Sequence, residues 1–459
     1  MLFNSHLFVF LFLPVALAGY YALAGSRTAR QAWIVVASLA FYGYWDVRFL
    51  PLLIGLTMAN WLIALWFGRT RQRWVPLLGI VLNLSVLALF KYADFLRGIA
   101  FDTVSVEWQP WQLILPLGIS FFVFQKIGYL MDLRRGDRHI YGFLDFWTFV
   151  TFFPQLIAGP LVRHNEIIPQ LGEDPRRAEM WENLARGAVL FVIGLSKKVL
   201  IADTLTRIGD PPFLHTAAST LSGAEAWVGA LGFTFQIYFD FSGYSDMAIG
   251  LALMFGLRLP INFNSPYQAV SYRDFWRRWH ITLSRFLRDY LYIPLGGNRG
   301  GALRQTCNVT ATMLLGGLWH GASWNCVLWG GLQGLALAVN HVWDGTGVRL
   351  PKLCGWAMTF LFFVLSLVVF HSPGLPAAGR FLVSLTGAFG WGHFGLDRQN
   401  TVTLLGAAAI AFFGVPSQEI ALTRLLPRPG LAWPIGAVAI VALLLVGGRL
   451  PTAFFYFQF

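Results

Sequence analysis

A long series of apolar segments, separated by short polar loops, is the feature that most constrains the fold of this chain. Candidate membrane-spanning segments lie near residues 7–24, 31–46, 49–68, 75–91, 111–131, 184–203, 225–240, 244–257, 305–319, 322–343, 354–371, 401–415 and 432–448. A straight helix needs about 20 apolar residues to cross a bilayer. Several segments are shorter, so we expect some to be re-entrant or enclosed by other helices. The pattern predicts an all-α, polytopic transmembrane protein.

Composition excludes an ordinary soluble fold. Of the 459 residues, 56% are hydrophobic and 12% are charged, whereas a soluble domain carries about 25% charged residues. Lipid must therefore cover part of the apolar surface, and membrane lipids are the first expected partner. The net charge of +12 is concentrated in short loops. Because no soluble basic domain exists to carry it, we expect no nucleic-acid binding.

The distribution of arginines predicts the orientation of the chain in the membrane. Arginines follow the first, third and fifth apolar segments, and basic loops of this kind face the cytoplasm. The N-terminus is therefore expected on the outer side, with the first helix retained, since Met1–His6 lacks the basic residues of a signal peptide. The apolar segment 143–161 breaks the alternation. Because Pro154 and Pro160 would interrupt a helix, we expect this segment to dip into the membrane and return.

The chain has no soluble domain, low-complexity tract or internal repeat, so one membrane domain over residues 1–459 is predicted. Most polar residues at membrane depth fall between about 111 and 345, flanked by plain spanning helices in 1–110 and 346–459. The three cysteines are far apart, and the nine histidines are scattered without an HExxH motif. Neither a disulfide framework nor a metal site is predicted.

The motif Trp319–Trp324 contains the first candidate catalytic residue, His320. It lies where two apolar runs meet, and a titratable imidazole at membrane depth costs free energy unless it is paired or faces water. Gly316, Gly317 and Gly321 surround it with little side-chain bulk, so another chain or a ligand can approach. A buried histidine bound to a neighbouring helix stays open as the alternative.

The segment 272–292 is predicted to be a single amphipathic helix. His280 lies at the centre of its apolar face and should point into the protein, while arginines such as Arg277 and Arg278 lie on the other face. This composition is typical of a helix at the membrane surface. The glycine-rich turn that follows contains Asn298 and Arg299, which could hold a phosphate, although an ordinary chain reversal is the favoured interpretation.

Two more polar clusters interrupt apolar stretches. One places Asp240, Ser242, Tyr244 and Asp246 within a few residues of one another. Carboxylates at such depth usually face a cavity or an arginine, so Asp240 could pair with Arg277 or Arg278 or line a polar tunnel. Structural pairing is favoured over direct catalysis. The other cluster contains Gln125 and Lys126, and Lys126 is expected to extend toward the membrane surface.

Further stretches complete a longer pattern: Tyr238–Asp246, Phe275–Ser284, Asp289–Arg299 and Leu318–Gly321, with the opening Leu2–Ser5 and Phe10–Pro14 and with Gly159–Pro160. Together they resemble the membrane-bound O-acyltransferase family, and within it the bacterial alginate O-acetyltransferase-like branch. The resemblance runs through most of the chain but is weak after about residue 345.

This resemblance implies a ring of helices around a central tunnel, with the family's signature histidine at His320 and its upstream polar position at His280. It implies a cytoplasmic thioester donor, acetyl-CoA or another acyl thioester, and no bound cofactor. It also implies a location in the bacterial inner membrane. A periplasmic acetyltransferase partner would pass acetyl groups to an exopolysaccharide resembling alginate or cellulose.

Acyl transfer needs a base for the acceptor hydroxyl, and imidazole has a suitable unperturbed pKa of about 6.5. His320 is the predicted base, with a covalent acyl-histidine as the alternative. His280 would orient a substrate or stabilise charge, and Arg277, Arg278 and Arg299 would attract an anionic donor. Trp319 and Ser323 are further candidates for the tunnel wall.

Two other classes of function remain open. A transporter or flippase would explain broken helices and intramembrane charges, but it predicts paired repeats and residual function without His320. A structural subunit of a polysaccharide export complex predicts that neither histidine affects acetylation. The sequence does not separate acetylation of alginate, cellulose or another glycan from D-alanyl transfer to teichoic acids.

Overall fold

The computed structural model describes residues 1–424, 428–447 and 454–455, and these residues form helices and loops without a β-strand. About 75% of the chain is helical. The predicted all-α, polytopic membrane fold is therefore confirmed. The ring of helices around a tunnel stays a prediction.

The first half of the chain contains eleven helices. They are α1 (Leu13–Ala22), α2 (Arg27–Gly43), α3 (Leu50–Thr70), α4 (Val75–Leu87), α5 (Ala93–Thr103), α6 (Ile119–Arg135), α7 (Phe143–Thr151), α8 (Phe153–Leu156), α9 (His164–Ile167), α10 (Met180–Ser196) and α11 (Asp203–His215).

The described residues of the second half contain ten more. They are α12 (Gly223–Met254), α13 (Tyr272–Arg278), α14 (Ile281–Leu287), α15 (Gly301–His320), α16 (Trp324–Gly345), α17 (Lys352–His371), α18 (Leu375–Leu385), α19 (Arg398–Phe413), α20 (Ser417–Glu419) and α21 (Pro429–Gly447). Segments of π-helix occupy Phe8–Phe12, Ala88–Tyr92, Lys197–Ala202, Arg288–Tyr292 and Ile420–Arg424, and short 3₁₀ segments occupy Val47–Phe49, Ile168–Gly172 and Pro266–Gln268.

Three stretches of described helix are long and apolar enough to cross a membrane: Val47–Thr70, Val75–Thr103 and Lys352–His371. The pair Arg398–Phe413 and Ser417–Arg424, bent by 70°, adds a fourth if it forms a single span. Most of the other predicted segments coincide with helices that are shorter or more polar. This agrees with the expectation that not every apolar segment is a straight span.

Two predicted boundaries are wrong. The segment predicted at 111–131 begins as an irregular chain, and α6 starts only at Ile119. The cause is Gly118, whose φ of +70° ends any helix and whose added Cβ would lie 2.8 Å from the Cα of Ile157. The segments 225–240 and 244–257 are one continuous helix, α12. Asp240, Ser242, Ser245 and Asp246 are buried and do not interrupt it.

The segment 143–161 is interrupted, as its prolines predict. Helix α7 ends at Thr151, and Phe152 has an extended ψ of 109° before the short α8. The chain then runs without regular structure to Arg163. Whether this segment enters the membrane and returns remains a prediction.

The chain forms two compact units, each assembled from separate stretches of sequence. Unit 1 comprises Met1–Leu195, Tyr244–Pro260 and Ala421–Phe459, and unit 2 comprises Ser196–Gly243 and Ile261–Ile420. Aromatic rings fill the core of unit 1, where Phe153 lies 5.4 Å from Phe41 and 5.7 Å from Phe255 between ring centroids. In unit 2, Trp279 packs 5.2 Å from Phe363. A single domain over residues 1–459 stays a prediction.

Candidate active site

His320 is the last residue of α15 and lies in an enclosed aromatic pocket of unit 2. Its side chain is buried. The ring centroid lies 4.9 Å from that of Trp319, 5.2 Å from Trp329 and 5.8 Å from Phe370, all in edge-to-face arrangements. The three rings hold the imidazole in one orientation and exclude bulk water, which strengthens electrostatic interactions at this position.

Two glycines allow α15 and α16 to form this pocket. A Cβ on Gly317 would lie 2.3 Å from the carbonyl oxygen of Cys326, and one on Gly330 would lie 2.4 Å from that of Met313. The helices therefore meet backbone against backbone, which a larger residue would prevent. The side chain of Ser323 accepts a hydrogen bond from the backbone N–H of Cys326 and so caps α16. A role of Ser323 in substrate binding stays a prediction.

The predicted continuous helix over 272–292 is wrong, because it breaks at His280. Helix α13 ends at Arg278 and α14 begins at Ile281, while His280 has the left-handed conformation φ 41°, ψ 53°. The cause lies 18 residues upstream, where the carbonyl oxygen of Asn262 accepts the N–H of Ile281 at 2.9 Å. This bond replaces one that a helix would have made within itself.

His280 is completely buried, as its place on the apolar face predicts. Its ring lies 4.7 Å from that of Phe241 and 6.3 Å from that of Trp319. Trp319 therefore contacts both His280 and His320. The structure brings the two predicted histidines together in unit 2.

A cavity of about 670 Å³ lies within unit 2, and its wall includes Ile281, the residue after His280, and Met313 on the helix that ends at His320. Its wall carries the basic residues Arg273, Arg277, Arg285, Arg288 and His341, together with Trp276, Ile281, Ser284, Leu287, Tyr292, Gln305, Thr306, Val309, Thr312, Met313, Leu337 and Ala338. The described wall contains no carboxylate, although Arg273 pairs with Asp344 and Arg288 with Asp289 just outside it. The wall is therefore basic and suited to an anion.

Only one of the two predicted arginines on α13 lines this cavity. Arg277 is part of its wall, whereas the Nε of Arg278 donates to the Oδ1 of Asp274 at 2.9 Å, one helical turn away. Asn298 and Arg299 are exposed and are not among the described residues of the wall. Their proposed contact with a phosphate stays a prediction.

Tryptophan rings connect the cavity wall to His320. The ring of Trp276 lies 6.2 Å from that of Trp329, which packs edge-to-face on His320. Met313, in the cavity wall, precedes His320 by seven residues on α15. At about 1.5 Å per residue, a ligand in the cavity must extend about 10 Å to reach the imidazole.

Asp240 does not pair with Arg277 or Arg278 as predicted. Its carboxylate lies 2.6 Å from the Nζ of Lys198, and Lys198 also lies 2.9 Å from Asp203. The π-helix Lys197–Ala202 turns two successive lysines inward, so Lys197 also donates to the Oγ of Ser242 at 3.4 Å and of Ser417 at 2.8 Å. The sequence signal of this pairing is Lys197–Lys198, two lysines inside the apolar run 184–203.

The remaining sequence candidates belong to unit 1. Tyr244 is buried and stacks on Phe3 at 4.9 Å, and Asp246 is also buried. Gln125 is buried, and its Oε1 has no hydrogen-bond partner among the described residues. Lys126 is fully buried, with its Nζ 4.3 Å above the ring of Phe122. Its expected extension to the membrane surface is wrong, because helix α6 places the side chain inside the unit.

No group of three or more His, Cys, Asp or Glu side chains within residues 1–424, 428–447 and 454–455 could hold a metal ion. The chemistry available at the site is that of two imidazoles, an enclosing set of aromatic rings and a nearby cationic cavity. Such a site can transfer a proton beside an anionic substrate.

Comparison with known proteins agrees with this chemistry. The model of MBOAT, the membrane-bound O-acyltransferase family, matches residues 75–375. The chain is 42% identical over 428 residues to the peptidoglycan O-acetyltransferase of Helicobacter pylori, covering 85% of this chain and 80% of that protein. It is 43% identical over 436 residues to the probable alginate O-acetylase AlgI of Pseudomonas syringae pv. tomato, covering 90% and 82%.

A more distant relative is named for a different activity. The teichoic acid D-alanyltransferase of Streptococcus thermophilus is 29% identical over 335 residues, covering 70% of this chain and 74% of that protein. The family match spans more than half of the chain and both histidines. This chain belongs to the membrane-bound O-acyltransferase family and is a multi-pass membrane O-acyltransferase.

Proposed function

We propose that this protein moves an acetyl group from a cytoplasmic thioester across the bacterial inner membrane for O-acetylation of an exopolysaccharide resembling alginate or cellulose. The observation that carries the proposal is the enclosed His320, set beside His280 in a chain of this family. The acetyl group is favoured because the relatives at 42% and 43% identity are named for acetylation, whereas the D-alanyl enzyme is 29% identical.

The chemistry follows from an imidazole beside a thioester. His320 removes the proton from the acceptor hydroxyl, and the oxygen attacks the acyl carbonyl carbon. The carbon–sulfur bond then breaks, and the departing thiolate takes the proton back from the imidazolium. The new ester bond is formed, and His320 returns to its neutral state. A hydroxyl of the partner protein or of the polysaccharide fits this scheme.

The cationic cavity is the proposed entrance for the donor. A coenzyme A thioester carries several phosphate charges, which the four arginines of the wall would attract, although Arg273 and Arg288 already pair with Asp344 and Asp289 outside it. Its thin pantetheine arm would extend past Trp276 and Trp329 to His320. The predicted orientation, with basic loops in the cytoplasm and the N-terminus in the periplasm, would open this cavity toward the cytoplasmic pool of thioesters.

A periplasmic acetyltransferase would complete the pathway. The acceptor must approach from the side opposite the donor, so that neither substrate crosses the membrane. A partner protein that receives the acetyl group there would carry it to the polymer.

Deletion of the gene tests the function as a whole. We expect the host's exopolysaccharide to be secreted in normal amount but to lose its O-acetyl groups, and expression of the intact chain to restore them. The O-acetyl content and the mass of secreted polymer are measured together. Polymer that is fully acetylated after deletion would refute the proposal, and loss of secretion would favour the export-subunit alternative.

Substitution of Arg277 tests the donor entrance. We expect Arg277→Gln to raise the KM for acetyl-CoA about tenfold at unchanged kcat, because it removes one charge-assisted hydrogen bond to a phosphate in the ground state and transition state alike. The assay uses purified protein in lipid vesicles. Arg278→Gln is the matched control. It removes the same charge at the next residue, where the arginine pairs with Asp274 and does not line the cavity. Equal effects of both variants would mean that the cavity does not bind the donor.

A further inference from the structure

The side chain of Asn262 makes an unusual set of contacts with the segment that carries His280. Its Oδ1 lies 3.1 Å from the Nδ1 of His280, 2.9 Å from the Oγ1 of Thr282 and 3.3 Å from the backbone nitrogen of Thr282. All three residues are buried. One amide oxygen therefore holds both the histidine ring and the start of α14.

These contacts fix the proton on the His280 ring. A backbone N–H only donates, so the Asn262 atom that faces it must be the amide oxygen, which only accepts. The same oxygen faces Nδ1 of His280, and that nitrogen must therefore carry a hydrogen and donate it. In a neutral imidazole the lone pair then lies on Nε2.

Backbone geometry reinforces this orientation. His280 has a φ of 41°. This conformation is unfavourable for any residue that has a Cβ, and it persists only where the surrounding structure enforces it. The main chain of Asn262 supplies that restraint by accepting the N–H of Ile281 at 2.9 Å. The backbone and side chain of one residue thus fix both the position and the proton of the ring.

We propose that Asn262 is a positioning residue that holds His280 as the Nδ1–H tautomer, so that Nε2 of His280 serves as a proton or hydrogen-bond acceptor beside His320. This inference rests on the proposed acyl transfer. In this role Nε2 of His280 accepts a hydrogen bond from the acceptor hydroxyl or receives a transferred proton. It does not stabilise an oxyanion, because a ring nitrogen with a lone pair cannot donate a hydrogen bond.

The pH dependence of transfer distinguishes positioning from a merely structural role. Asn262→Asp keeps an oxygen acceptor but adds a negative charge about 3 Å from Nδ1, which stabilises the imidazolium form of His280. Because the neutral ring is the active form, we expect the acidic limb of the kcat profile to move up by about 1–3 pH units. His320 is the titratable group on the other side of Trp319 from His280, and the neighbouring Phe241, Phe263 and Trp319 rings are uncharged.

Two further variants complete the comparison. Asn262→Leu removes the acceptor, and we expect kcat to fall about 10- to 100-fold with the KM for acetyl-CoA unchanged. Thr282→Val is the matched control: it deletes only the hydroxyl contact to the same oxygen and should leave the pH profile in place. An unshifted profile in Asn262→Asp together with full activity in Asn262→Leu would overturn the proposal.

The tautomer is read directly by ¹⁵N nuclear magnetic resonance of histidine-labelled protein in lipid, with His280→Gln to assign the signal. We expect a protonated Nδ1 in the intact protein and its loss in Asn262→Leu. A protonated Nε2 in the intact protein would overturn the proposal whatever the transfer assay gives. The expected tautomer in a protein that transfers no acetyl group would instead refute the proposed function alone.

Discussion

Replacing His320 by alanine is expected to reduce O-acetylation of the exopolysaccharide to the level of a deletion strain, while the polymer is still secreted. General base catalysis contributes about 10²- to 10⁴-fold to a rate, and an enclosed site has no bulk water to substitute for the lost imidazole. His320 is buried against Trp319, Trp329 and Phe370, and Trp319 also contacts His280. The measurement compares O-acetyl content at equal membrane levels of the two proteins.

Two controls separate catalysis from folding. His393→Ala removes an exposed histidine outside the site and should acetylate normally. His320→Gln keeps a polar side chain of similar length in the pocket, so it should preserve the membrane level while still losing transfer. Normal acetylation by His320→Ala would show that His320 is not the base. If the wild type does not acetylate the polymer and His320→Ala still exports it, the protein would instead be a transporter.

The fold class and the family could be predicted from the sequence because each depends on a continuous stretch of residues and not on contacts between distant ones. Apolar segments of membrane length are visible without knowing any contact, and the stretch Phe275–Ser284 is too unusual to arise by chance. The burial of His280 was also predictable, since helical periodicity places it among apolar neighbours. The prediction of burial is confirmed although the helix breaks at His280, because it depends on the apolar neighbours and not on an unbroken helix.

The parts that could not be predicted depend on contacts between distant residues. The break at His280 arises from Asn262, and nothing in the local sequence marks it. The partner of Asp240 is Lys198, and a π-helix directs that lysine inward. Periodicity arguments assume a regular helix, so they cannot give the direction of Lys198 where an extra residue is inserted in a turn. The same limitation applies to Lys126, whose burial depends on the helices packed around α6.

The contact between α15 and α16 provides the second large expected effect. Gly330→Ala should lower stability by about 1–3 kcal/mol and reduce transfer up to about 100-fold. An added Cβ would lie 2.4 Å from the carbonyl oxygen of Met313, which is backbone and cannot rotate away. The two helices must separate, and Trp329 on α16 then moves relative to His320 on α15. The midpoint of thermal unfolding in lipid nanodiscs and the acetyl-transfer rate are measured on the same preparation.

Gly331→Ala is the matched control, because it adds the same methyl group at the next residue of the same helix. Its Cβ would lie 3.4 Å from the flexible Leu314 side chain, an ordinary contact, so we expect stability within about 0.5 kcal/mol of the wild type and normal transfer. If both variants lose activity equally, general weakening of α16 is responsible. If Gly330→Ala alone loses transfer, the approach of these two backbones is what holds Trp329 against His320, and the aromatic enclosure is part of how the imidazole is kept in its working position.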